Sequence, residues 1–176
     1  VLVPVVVAET SNTNASVAPT VASAAASLDL TEMTTRQVAL IPVQQVRQLS
    51  PAQIESMSGI QVRTLSPQQL GVMTSTQVAV MSTAQVAGLE TADIAAMTTT
   101  AVAGMTATQV KALSTAQLAA LTTTQAANLT ATQVGNLSAT QVAGMETADL
   151  AALTTAQVQA VTTAGVSGLS TAQVAA

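Results

Sequence analysis

"LSTAQLAALTTTQAANLTATQVGNL", residues 113–137, runs three times through one eight-residue unit: an aliphatic residue, Ser or Thr, two small residues, Gln, an apolar residue, two more small ones. Eight fits no continuous element. A helix advances about 800° over eight residues, so equivalent positions drift by roughly 80° per unit and an apolar stripe winds away from any core. In a strand, places one and six differ by an odd number and face opposite sides. The conflict disappears when each octad is its own short helix. Ser114 then stands at the N-cap and Gln117 three residues later, the capping box in which hydroxyl and amide satisfy each other's backbone N–H groups. Leu113 and Leu118 fall at the two positions of the hydrophobic staple.

Working outward, the unit runs without insertion or deletion from Met33 to Ala176, 144 residues or eighteen octads. Place one is aliphatic or Met throughout. Place two is Ser or Thr except at Pro42, Glu90 and Glu146. Place five is Gln in fourteen octads, with Asp93, Ala101, Asp149 and Gly165 as the exceptions, and place six is Val, Ile or Leu except at Ala126. Pro51 and Pro67 sit just after a Ser cap, at the first helical position, where a missing N–H costs nothing. Gly88, Gly104, Gly144, Gly168, Asn128 and Asn136, all at the last place, are expected to stop their helices in the left-handed conformation.

One octad cannot fold alone, because ordering eight residues costs more than two buried aliphatics and a cap return. Neighbours must cover both aliphatics, which is the logic of a solenoid. The expected fold is all-α: an α-solenoid of eighteen short capped helices over residues 33–176, preceded by an extended arm and a Ser/Thr/Ala linker over residues 1–32. A β-solenoid lined by Thr98-Thr99-Thr100 and Thr122-Thr123-Thr124 is the alternative, since Thr and Val favour strands.

Composition narrows function by exclusion. The chain is 49% hydrophobic and 7% charged, with net charge -4 and no Phe, Tyr, Trp, His or Cys. A nucleic-acid partner would need a basic footprint or stacking aromatics. Without His and Cys there is no common zinc ligand and no Ser-His-Asp or thiol chemistry. No apolar run approaches the roughly 18 residues of a membrane span. The reading is a non-enzymatic protein with no cofactor and no small-molecule substrate.

The residues closest to chemistry are two variant octads, Leu89-Glu90-Thr91-Ala92-Asp93 and Met145-Glu146-Thr147-Ala148-Asp149, 56 residues or seven octads apart. Glu90 with Asp93, and Glu146 with Asp149, could contribute to a Ca²⁺ site, which wants six to eight oxygens; acids at a helix start are equally explained by the macrodipole. All seven Met residues stand at place one and read as core substitutes for Leu.

The arm "VLVPVVVAE" carries three open readings, one of them docking on its own solenoid. Otherwise it is the tail of a signal peptide, with Val6-Val7-Ala8 like a cleavage site, or an exposed strand that docks on another subunit through Val1, Leu2, Val3, Val5, Val6 and Val7, Pro4 suiting an edge position. At the other end the octad Leu169–Ala176 is as regular as the interior ones, so Leu169 and Val174 are expected to present an uncapped apolar surface.

The unit L-[ST]-x-x-Q-V-x-x over residues 33–176 resembles octapeptide stretches of large secreted or surface-exposed bacterial proteins of the adhesin and haemagglutinin type. That resemblance implies an extracellular or cell-surface location and brings no catalytic motif with it. Together with the apolar ends it leads to a structural protein that joins head to tail into a homopolymer, a filament or surface layer, since a heterologous contact propagates unless it closes. A Thr-array ice-binding protein and a monomeric spacer or stalk of a larger adhesin are the alternatives.

Overall fold

A computed structural model describes residues 28–175 of the chain. The described residues form eighteen helices of four to six residues, one per octad, and no strand. The α-solenoid expectation therefore holds, and the β-solenoid alternative finds no support.

Each helix starts where local chemistry dictates. Thr122 is extended at φ −72°, ψ 152° and its Oγ1 accepts from the Gln125 N–H at 3.2 Å, while Gln125 Oε1 accepts from the Thr122 N–H at 2.7 Å. The same reciprocal pair opens thirteen of the fourteen octads that carry Gln at place five. The exception is Gln45, whose octad has Pro42 at the cap and hence no hydroxyl to accept. Pro51 and Pro67 occupy the first helical turn as expected.

The helix ends correct one expectation. Gly88, Gly104, Asn128, Asn136, Gly144 and Gly168 are all right-handed, with φ between −79° and −97°. The helix is stopped instead by the next place-one residue turning back, as when the Leu121 N–H donates to the Leu118 carbonyl at 3.1 Å. Asn128 and Asn136 serve the end differently: each Nδ2 donates 2.8 Å to the carbonyl four residues earlier. Glycine answers to crowding. A Cβ on Gly104 would collide with Ser75 of the neighbouring coil, and one on Gly144 would come 3.0 Å from the Thr115 Cβ.

Every helix packs on the one three octads further along. The glutamine hydrogen bonds described below join residues 28 to 31 apart, so one coil takes about three and a half octads, and 144 octad residues at 28 per coil make about five coils. Places one and six line the interior. Place six is 0–1% exposed from Val38 through Val142, and six of the seven Met residues are buried beside it at place one. Packing begins before the first octad: Leu30 is buried, and the Leu28 and Leu30 carbonyls accept from Gln53 and Gln61.

Candidate assembly interface

The glutamines do more than cap. In eleven octads the amide Nε2 crosses to the preceding coil and donates, at 2.6–2.8 Å, to the place-one carbonyl 28 residues earlier. Gln125 donates to Met97 at 2.7 Å and also to Ile94 at 2.9 Å. Those carbonyls belong to the last turn and exit of a helix, groups that have no intrahelical partner. One buried side chain thus ties the start of one helix to the end of another. Oε1 meets an N–H and Nε2 meets carbonyls, so the orientation of the amide is fixed by its surroundings.

Local reading of the octad gives glutamine its capping role and misses this seam. A signal was present. Glu fills the third position of a capping box as well as Gln and suits the positive end of the macrodipole better, yet none of the eighteen octads has Glu at place five. Something there needs an N–H donor.

The acidic octads interrupt the seam. Asp93 and Asp149 replace Gln and are 4% and 1% exposed, while Glu90 and Glu146 stand exposed at the N-caps. Asp93 Oδ2 accepts from the Glu90 N–H at 2.8 Å, keeping half of the box. Asp149 takes a hydrogen bond from the Thr123 side chain on the neighbouring coil, and its Oδ2 is buried without a partner. Burial is the main cause that raises both carboxyls above the usual range; the adjacent glutamates push the same way, and the hydrogen bonds oppose it. The two pairs lie on one face but do not meet. The helix Thr123–Ala127 stands between them, its Gln125 reaching back to Ile94 and its Thr123 meeting Asp149. Among the described residues no three acidic, His or Cys side chains come together to hold a metal ion, so each acidic octad brings two carboxylates to a Ca²⁺ shell that wants six to eight oxygens.

Of the residues expected to mediate assembly, Val1, Leu2, Val3, Val5, Val6 and Val7 lie outside the described residues. Leu169 is partly buried against the core, and Val174 is 67% exposed. Val174 has company that the sequence did not single out. Val158 is 54% and Val166 51% exposed, at the same place six that is sealed in every octad from Val38 to Val142. The last coil also leaves the Leu153 and Val161 carbonyls with no protein donor among the described residues, and in the first coil the Gln37 and Gln45 amides donate to no carbonyl there.

No helix of the described residues is long and apolar enough to cross a membrane. Neither the curated proteins nor the solved structures contain a match to the chain. The ALTTAQ repeat family matches residues 60–91, 86–123, 109–139 and 142–176, and its six letters stand unaltered at Ala152–Gln157. Those letters are the last place of one octad followed by the staple, the cap hydroxyl, two small residues and the seam glutamine of the next, so the unit that defines the repeat is the unit that builds the solenoid, and the chain belongs to the ALTTAQ repeat family.

Proposed function

We propose that the chain is a non-enzymatic scaffold protein, displayed outside a bacterial cell, whose solenoids join head to tail into a filament or layer. The observation that carries this reading is the glutamine seam, which joins coil to coil at a constant step of 28 residues and can be continued by the octads of a second copy. Val158, Val166 and Val174, more than half exposed, are the place-six residues such a copy would cover. A second copy offers a fitting occupant. Stacked so that its Met33 octad continues the series after Leu169–Ala176, it sets Gln37 opposite the Leu153 carbonyl and Gln45 opposite that of Val161, the same step of 28 residues found within the chain. Hydrophobic cover and seam hydrogen bonds are then supplied together. A contact between different ends of the molecule is heterologous and grows without closing. The resemblance to surface-exposed octapeptide proteins supports an extracellular setting.

Light scattering on the purified chain across a concentration series, followed by negative-stain microscopy, tests the proposal. Rods that lengthen with concentration are expected, and Val158→Asp with Val166→Asp should return the protein to monomer while its helical circular dichroism is kept. A wild-type chain that stays monomeric at every concentration overturns the reading.

A further inference from the structure

Four octads lack the seam glutamine, and they fall into two kinds. Ala101 and Gly165 bring no polar atom to the seam; Asp93 and Asp149 bring a carboxyl. By the step of 28 residues, the carbonyls left over are those of Leu65 for Asp93 and Leu121 for Asp149. Neither accepts a hydrogen bond from the described residues. An ionised carboxylate has no N–H or O–H to give them. Asp149 Oδ2 is buried and unpartnered in that setting.

No positive charge compensates. The helix Thr91–Ala96 that carries Asp93 packs on Pro67–Leu70 and Thr115–Ala119, and the helix Thr147–Ala151 that carries Asp149 packs on Thr123–Ala127 and Thr171–Val174. None of these four neighbours contains a titratable residue. On their own octads the acids face Glu90 and Glu146, which carry the same sign. Arg63, whose aliphatic stem lies beside Gly88, forms no ion pair with Glu90 or Asp93.

We propose that the folded solenoid holds Asp93 and Asp149 as neutral carboxylic acids, each O–H standing in for the missing amide N–H as the donor toward the adjoining coil. The two acidic octads thereby become pH-sensitive latches in an otherwise pH-indifferent seam. They close in acid and loosen when the acids ionise. The direction of titration follows from burial. Both folded-state carboxyls sit above their ordinary value of 3.8, so the unfolded chain gives up its protons first as pH rises. Stability is full below the unfolded pKa and is lost as pH climbs through the folded one. Asp29, exposed at the start of the stack and held low by the Thr31 hydroxyl and N–H, acts with the opposite sign.

The test combines ¹³C carboxyl titration of the intact chain with its thermal unfolding between pH 3 and 8 at constant ionic strength. Asp93 and Asp149 should titrate above 3.8, and the wild-type Tm should rise on acidification by roughly 3–5 °C for each unit by which either acid is shifted. Asp93→Asn with Asp149→Asn retains an amide donor that cannot ionise, so this part of the slope should vanish. The exposed acids are common to both proteins and cancel in the comparison. Midpoints at or below 3.8 for both aspartates overturn the proposal, and this readout needs no variant to fold. It is equally overturned if the slope survives in the double variant. A Tm at pH 7 that rises with added Na⁺, K⁺ or Ca²⁺ in the wild type alone would also overturn it, by giving the carboxylates a cation in place of a proton. None of these outcomes depends on polymerisation.

Discussion

Gln125 spends both ends of one amide inside the fold: Oε1 accepts from Thr122, and Nε2 donates to Met97 and Ile94. Buried at 1% exposure, it leaves nothing to water. Gln125→Ala strands the Met97 carbonyl and half of the cap, leaves the Ile94 carbonyl only the Met97 N–H, and should cost about 1–3 kcal/mol in denaturant unfolding. Gln125→Glu separates the two roles, because the carboxylate still accepts the cap N–H but sets oxygen against oxygen across the seam. It should be at least as damaging as alanine at pH 7 and recover part of the loss in acid, once the carboxyl carries a proton. A Gln125→Glu variant as stable as the wild type at neutral pH would leave the seam without energetic weight. The capping half of this residue was legible in the sequence, since it involves atoms three residues apart. The seam half was not, because nothing local says which carbonyl lies 28 residues back; the exclusion of Glu from place five states only that a donor is required.

At the scale of the element, helix starts and helix ends are governed by different distances. A start is decided within four residues by hydroxyl, amide and extended cap, so Ser114, Thr122 and their equivalents could be placed from sequence. An end is made by the next place-one residue turning back, and the residue that stands there answers to the room the adjoining coil leaves, so Gly104 and Gly144 read as left-handed stops and prove to be right-handed residues in tight contact. Two alanine substitutions separate these causes. Gly104→Ala drives a methyl into Ser75 and should lower stability by about 1–3 kcal/mol. Gly59, at the first helical position with no atom within 4 Å of an added Cβ, has no such neighbour, and Gly59→Ala should raise stability by about 0.5–1 kcal/mol through the unfolded chain. Thermal unfolding of the two variants beside the wild type reads both signs. A loss at both positions would mean that backbone conformation, rather than contact between coils, selects glycine here.

For the whole molecule, the repeat matters more than any one octad. The octad period is visible in the sequence, whereas the number of octads per coil is not, because it follows from how far each short helix turns the chain before the next begins. With about three and a half octads per coil, place five of one octad faces the place-one carbonyl 28 residues earlier, and eleven glutamines close that gap. Adding a complete octad between Ala120 and Leu121 preserves that phase, so the lengthened chain should fold with its helical signal per residue unchanged and a denaturant slope that grows with the added surface. Adding four residues at the same point does not. Gln125, Gln133 and Gln141 have their carbonyls at Met97, Met105 and Leu113, all before the insertion, and would face the middle of a helix instead. Gln157 and its partner Leu129 both follow the insertion and keep their register. Hydrogen exchange should therefore show protection lost over the coil that spans the insertion and kept beyond it, as expected of a molecule whose coils answer to their immediate neighbours. Uniform protection after a four-residue insertion would mean that the coils slide freely past one another, and that the glutamine seam does not set their register.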